Sequence, residues 1–320
     1  MPAPSMTTAE GAGYLGGDTV KEVFNRGALE AYRAENVYRR VADVKWDEKA
    51  GPMPGNPVTF TIIKAIAPQT TPLSETVEPE PGSIEDTTAS ITLAEYGHAV
   101  KPTRKLKLTS FLGLDLVAVG EITANMEESV DIVARDVLCA GDNVLYGGDA
   151  TDRDELNTGD VLSAANIRRA RAYLRGKSTP PPPGSNAYIC YIHPDVNFDV
   201  QTETGQQAWS APHVYADPSA IYTGELGMFG SVRFVENENA KILADYGSDA
   251  TFDVYATLFV GRQALGEAVG DPQHVIIAGP FDDLQRFVSV GWYALLGYAR
   301  IREDSLLRYE TISSIGANAA

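Results

Sequence analysis

Little in this chain is available for redox or metal chemistry: it has two cysteines, Cys139 and Cys190, and four histidines among 320 residues. Two thiols cannot build a disulfide framework or a four-cysteine zinc site, and their scarcity fits a reducing compartment. Both sit among apolar neighbours, the setting of a buried, inert thiol. No run approaches the roughly 20 consecutive apolar residues that cross a bilayer, and Met1 to Glu10 lacks the basic and apolar parts of a signal peptide. The expectation is a soluble protein that stays where it is made, with no membrane partner. Cations are also scarce, since 26 Lys and Arg face 43 Asp and Glu for a net charge of −17. Counterion release needs clustered Lys and Arg, so this balance argues against a protein whose task is to grip nucleic acid.

What is present belongs to a globular chain. With 44% hydrophobic and 22% charged residues, the composition excludes a disordered polymer, and the length suits about two domains or one large core with insertions. The first 50 residues carry two short helical patches, Val20 to Asn25 and Leu29 to Val41, before Gly51 to Pro57 interrupts them; they read as an arm. Val58 to Ile66 and Ala89 to Leu93 are strand-like, with Ile91 and Leu93 on one face. Between them, Pro68, Pro72, Pro79 and Pro81 cannot join a ladder freely, so this stretch projects. No Lys or Arg occurs from Ala65 through Val100, whereas Glu75, Glu78, Glu80, Glu85, Asp86 and Glu95 are all acidic. An isolated two-stranded hairpin is marginal in water and takes its order from packing on something else, most simply another copy of the chain. A solvated mobile loop accounts for the same residues equally well.

A basic patch follows, Lys101, Arg104, Lys105 and Lys107. Beyond it, apolar residues from Val119 to Val137 recur every three or four positions and predict a helix from Thr109 to Ala140. A second helix, Ala164 to about Arg175, carries Arg168, Arg169, Arg171 and Arg175 without an acid nearby. Pro180 to Pro183 form a stiff connector and mark a domain boundary. Beyond it come the strand Ala187 to Ile192, a turn at His193-Pro-Asp195, a short helix to Thr202 and further β-rich segments to Tyr309.

Motifs for small-molecule chemistry are weak. Gly11, Gly13 and Gly16 match G-x-G-x-x-G with no strand before them, and Gly224, Gly227 and Gly230 lack the ending of a P-loop. The acids from Asp149 to Glu155 do not have EF-hand spacing. His193 and Asp195 lack ligand-spaced partners and read as a strand-ending turn, although a hydrolase or lyase using this pair is an alternative. No G-x-S-x-G elbow is present.

Several stretches carry a resemblance. Tyr191-Ile-His-Pro-Asp195, Ile221-Tyr-Thr-Gly-Glu-Leu-Gly227, Val232-Arg-Phe-Val-Glu236, Val290-Gly-Trp292, Asp136 to Tyr146 and Leu108 to Leu112 together resemble the major capsid proteins of tailed double-stranded DNA bacteriophages. The likeness runs in order over about Val58 to Arg308. One departure is Asp282-Asp283, where relatives tend to have Asp-Pro. The resemblance implies the α+β tailed-phage major capsid fold: an N-terminal arm (1–57), an E-loop hairpin (58–100), a peripheral domain with a long spine helix (101–183), an axial domain (184–281), and return strands with a C-terminal tail (282–320). It implies a shell protein that self-assembles into hexamers and pentamers, with portal and possible scaffolding and decoration proteins as partners. The shell would enclose double-stranded DNA without reading its sequence, in a virion assembled in the host cytoplasm. A cargo-enclosing bacterial compartment would share the architecture. This reading calls for no catalytic residue, cofactor or metal.

The E-loop residues expected to contact a neighbouring copy are Phe60, Ile62, Leu73, Glu75, Glu78, Glu80, Ile91 and Leu93. Charge segregation nominates two docking surfaces for an acidic E-loop: Lys101, Arg104, Lys105 and Lys107, or Arg168, Arg169, Arg171 and Arg175. An internal pairing of these arginines with Glu127, Glu128 and Asp131 on the long helix is the competing expectation.

Overall fold

The computed structural model describes residues 36–47, 57–70, 72, 81–109, 114–203, 225–279, 284 and 286–315. Two sheets share one central core. The first has four strands in the order β1 (Val44–Asp47), β11 (Leu265–Ala278), β12 (Ser289–Arg300) and β4 (Ala94–Val100). The long helix α2 (Leu114–Cys139) packs against β12, β11 and β4 through Ile122, Met126, Val130, Ala134 and Leu138, spaced three or four apart and all buried. At 26 residues it is about 39 Å long. Of the helix expected from Thr109 to Ala140, Leu114–Cys139 is α2 and Thr109 is the last residue of a short helix, α1 (Arg104–Thr109), with residues 110–113 outside the described residues.

The second sheet runs β5 (Val144–Tyr146), β13 (Leu306–Thr311), β10 (Val254–Val260), β6 (Tyr188–Ile192), β8 (Val232–Glu236) and β7 (Glu225–Phe229), with β9 (Ile242–Leu243) beside β10. Every residue of β10 is buried, as its run of apolar residues, interrupted only by Thr257, suits a strand covered on both faces. One face receives helices α3 (Ala164–Gly176) and α4 (Pro194–Thr202), through Ile167, Ala170, Leu174, Val196 and Val200. The other face meets the end of α2, where Leu258 and Val260 join the core of Leu138 and Cys139. Sheets and expected segments do not coincide, because β11 falls within 184–281 yet joins the four-stranded sheet, and β13 follows residue 282 yet lies inside the other one.

The end of the expected arm proves to be core. Val37, Tyr38, Val41 and Ala42 are buried against α2, and Leu29 to Val41 is not a helix at its described end but a single 3-10 turn, Tyr38–Val41. The buried Asp131 carboxylate on α2 accepts the Val37 and Arg39 amides at 3.1 and 2.9 Å. Burial raises the Asp131 pKa, and these amides oppose the rise. The Tyr191 hydroxyl on β6 donates to the Val37 carbonyl at 3.1 Å, and β1 pairs in parallel with β11. Arg39 reaches the buried Glu267 carboxylate at 2.7 Å, where the Tyr298 hydroxyl also donates at 3.0 Å. The helical patch Val20 to Asn25 lies outside the described residues.

Candidate assembly surfaces

A third, two-stranded sheet carries the projecting hairpin. β2 (Val58–Ile63) pairs antiparallel with β3 (Asp86–Ile91), Val58 opposite Ile91 and Ile63 opposite Asp86. Period-two alternation puts Val58, Phe60 and Ile62 on one face, and their burial fades outward from buried to half-buried. At the root, Val58, Ile91 and Leu93 form a small core with Ala268 and Ile301. The Thr92 backbone crosses β12 so closely that a Cβ on Gly297 would fall on the Thr92 carbonyl oxygen, so only glycine fits there. Further out the chain is uncovered: Ile63, Ile66 and Ile84 are 66%, 60% and 70% exposed, and Lys64 pairs with Glu85 at 3.2 Å.

This placement corrects two of the residues expected to meet a neighbour. Ile91 and Leu93 are covered by their own chain and anchor the hairpin, offering nothing to another copy. Phe60 and Ile62 are half-covered by the same root, and Leu73, Glu75, Glu78 and Glu80 lie outside the described residues.

At the far end of the four-stranded sheet a different surface gathers. Ile277, Val290 and Val100 are register partners across β11, β12 and β4, and Thr103 bridges to Phe287. Val100, Leu106, Leu108, Ile277, Leu284 and Phe287 are all exposed there, a cluster larger than scattered surface apolars explain. Lys101, Arg104 and Lys105 are exposed among them, Lys107 lies on α1, and Arg286 stands over the Phe287 ring at 5.4 Å. From Gly97 to Thr109 there is no acid, and with Asp282 and Asp283 counted the surrounding sequence still has more cations than anions.

The four arginines of α3 stand elsewhere. α3 buries its apolar stripe on the seven-stranded sheet and turns Arg168, Arg169 and Arg175 outward, with Arg171 half-exposed. Its start is capped by the Ser163 hydroxyl, which accepts the Asn166 amide at 3.3 Å. Arg168 lies 5.1 Å from the Phe229 ring centre. The internal pairing with Glu127, Glu128 and Asp131 is not formed: among the described residues no ion pair joins α3 to α2, and Asp131 holds backbone amides instead. That alternative fails because α3 covers the opposite face of the seven-stranded sheet from α2.

His193 and Asp195 form a helix cap. The His193 Nδ1 accepts the Asp195 amide at 3.1 Å at the start of α4, and the Tyr255 hydroxyl donates to Asp195 Oδ2 at 2.8 Å. Burial lowers the His193 pKa below its ordinary 6.5, with Asp195 and Glu238 opposing. An accepting Nδ1 needs the neutral ring, so protonation removes the cap bond. Because the folded-state pKa lies below the unfolded value, this contribution is complete above pH 6.5 and diminishes as pH falls from there toward the folded pKa. His193→Asn, which retains a capping oxygen, is expected to flatten that acid-side loss, measured as unfolding free energy in urea at about pH 7.5 and 5.5. An unchanged pH slope would rule out His193 as its source. Among the described residues no group of His, Cys, Asp and Glu is arranged to hold a metal ion, and Cys139 is buried with its pKa pushed up to about 12.

Comparison with known proteins gives these surfaces a context. The family described as phage capsid protein matches residues 116–305, more than half of the chain. No curated protein sequence matches significantly. Among solved structures, the capsid of Ralstonia phage GP4 is 18% identical with a TM-score of 0.75, covering 96% of this chain and 98% of that one. The Cyanophage Pam1 capsid is 11% identical at a TM-score of 0.72, covering 94% of this chain and 99% of its own. The capsid of Helicobacter pylori bacteriophage KHP30 is 13% identical at 0.69, covering 92% and 96%. At these identities the structures share a fold with this chain.

Proposed function

The chain belongs to the phage capsid protein family and is a structural major capsid protein, and from that premise we propose how it assembles. The hairpin is an arm at one end of the molecule, and the apolar, cationic end of the four-stranded sheet is its receptor on the next copy. The observation that carries this reading is the paired complementarity of the two surfaces. The hairpin is acidic and exposes isoleucines, and the receptor is basic and exposes leucines, isoleucine and phenylalanine. From Gly297 to Val290 on β12 is about 24 Å of strand. The arm is rooted at the first of these positions and the receptor lies at the second, so a neighbour satisfies the contact more simply than the same chain does. Two different patches meeting head to tail generate rings when the rotation closes. Hexamers and pentamers of this kind would build an icosahedral head around double-stranded DNA. Portal, scaffolding and decoration proteins are its further partners in a virion assembled in the host cytoplasm. The protein's role is mechanical, without turnover, cofactor or metal.

Electron microscopy of the purified protein tests the reading directly: closed particles are expected, and a monomer at every concentration and salt would overturn it. Lys101→Glu, Arg104→Glu and Lys105→Glu together are expected to raise the concentration needed for assembly at least about tenfold in low salt, with a smaller difference in high salt. Equal assembly by the triple variant would exclude this receptor.

A further inference from the structure

The open edges of the two larger sheets are not alike. The four-stranded sheet ends in β1 and β4, and the seven-stranded sheet in β5 and β7. β1 has four residues, β5 has three, and β7 has five with a register shift between Glu225 and Gly227. Short or bulged strands are how proteins keep an open edge from pairing with another chain. β4 has neither protection: its seven residues pair with β12 without a register shift, and none is proline. All but Tyr96 are exposed, and among the described residues the backbone bonds of 94–100 run only to β12. Every second residue therefore turns its N–H and C=O outward.

This edge is complementary to itself. Turned antiparallel about His98, a second β4 sets Glu95 opposite Lys101, Tyr96 opposite Val100 and Gly97 opposite Ala99, each pair occurring twice. Opposite charges directly across a ladder stabilise it, and like charges destabilise it. Centring on Gly97 or Ala99 would set Glu95 against Ala99 or Thr103 instead. Glu95 receives the Tyr293 hydroxyl from β12, which holds the carboxylate at the sheet and leaves it lone pairs for an ammonium group. We propose that β4 pairs antiparallel with β4 of a second copy about a two-fold axis at His98, joining two four-stranded sheets into one of eight strands. This contact is isologous, whereas that of the hairpin is head to tail. It borders the hairpin's receptor at Val100 and Lys101 and leaves Leu106, Leu108, Ile277, Leu284 and Phe287 uncovered. A head-to-tail contact closes rings, and a two-fold contact joins one ring to another. The inference does not depend on the shell reading, because edge pairing requires only two copies.

His98→Cys in the full-length protein tests the register. A cysteine on the two-fold axis faces its own counterpart across the ladder, with Cα atoms about 4.5 to 5.5 Å apart and within disulfide range. The native thiols Cys139 and Cys190 are buried and do not compete. Oxidation with copper phenanthroline is expected to give a covalent dimer on a non-reducing gel. Ala99→Cys, whose partner would be Gly97, is expected to give at least about tenfold less. In low salt, adding Glu95→Lys to His98→Cys should reduce the dimer about tenfold by setting lysine against lysine, and adding Lys101→Glu as well should restore it. The cross-link reads the edge contact alone, so the role of Lys101 in the receptor does not enter. No dimer from a His98→Cys variant that unfolds in urea like the wild type overturns the proposal. Equal cross-linking by Ala99→Cys, or no recovery in the charge-swapped variant, does the same. Particles without the cross-link would remove this contact and keep the shell reading; cross-linked dimers without particles would do the reverse.

Discussion

Glu310→Gln is expected to lower the unfolding free energy by about 3 kcal/mol, the lower end of what removing one partner from a buried ion pair costs. Glu310 is wholly buried on β13 and receives both Nε and Nη2 of Arg153 at 2.7 Å, a two-pronged contact. Arg308 Nε lies 2.7 Å from the same carboxylate, and its Nη1 donates to the Cys139 carbonyl at the end of α2. One carboxylate therefore ties the loop after β5, a central strand and the long helix. A neutral amide would leave two guanidinium groups facing each other without a counter-charge, and water reaches only part of Arg153, which is 28% exposed in its side chain. Urea unfolding checks the size of the loss, and a double-mutant cycle with Arg153→Ala checks its origin. If the two losses simply add, the pair is not coupled and this account of the site is wrong.

Excising the arm should have the opposite profile, with no effect on the folded monomer and complete loss of particles. Residues 65–84 can be replaced by Asn-Gly, a two-residue turn whose twist suits the β2–β3 ladder between Lys64 and Glu85. The described residues within that span are exposed, and the root core of Val58, Ile91, Leu93, Ala268 and Ile301 remains. Unfolding free energy should stay within about 0.5 kcal/mol, as for surface changes in general. Electron microscopy and gel filtration should show monomers or small rings and no closed shells. Closed particles formed at the wild-type concentration would mean that the arm is not an assembly element.

The reasons some parts were legible in the sequence and others were not are physical. α2 and β10 declare themselves because burial on one stripe or on both faces imposes an apolar period that side chains must follow. The acidic hairpin was visible through its missing cations and its prolines. The same alternation that placed Ile91 and Leu93 on one face could not say whether that face met the chain's own sheet or a neighbour's, and it met Ala268 and Ile301. β11 was legible only from Val275 to Ala278, because Gly266, Glu267, Gly270, Asp271 and Pro272 break any strand pattern upstream. Pairing with both β1 and β12 overrides their local propensity. Asp131 was expected only as a partner of the α3 arginines and Glu310 was not singled out, since the amides and the Arg153 guanidinium that justify their burial come from residues 92 to 157 positions away. The apolar end of the four-stranded sheet was equally hidden, because Val100, Ile277 and Phe287 become neighbours only through strand register.

The segment from Asn36 to Asp47 is bonded to α2 through Asp131, to β6 through Tyr191 and to β11 through strand pairing. It is a splint across both sheets, and neither can swing relative to the other without tearing it. Any change in the curvature of a shell built from this protein must then come from the angles between whole copies, leaving each one undeformed inside.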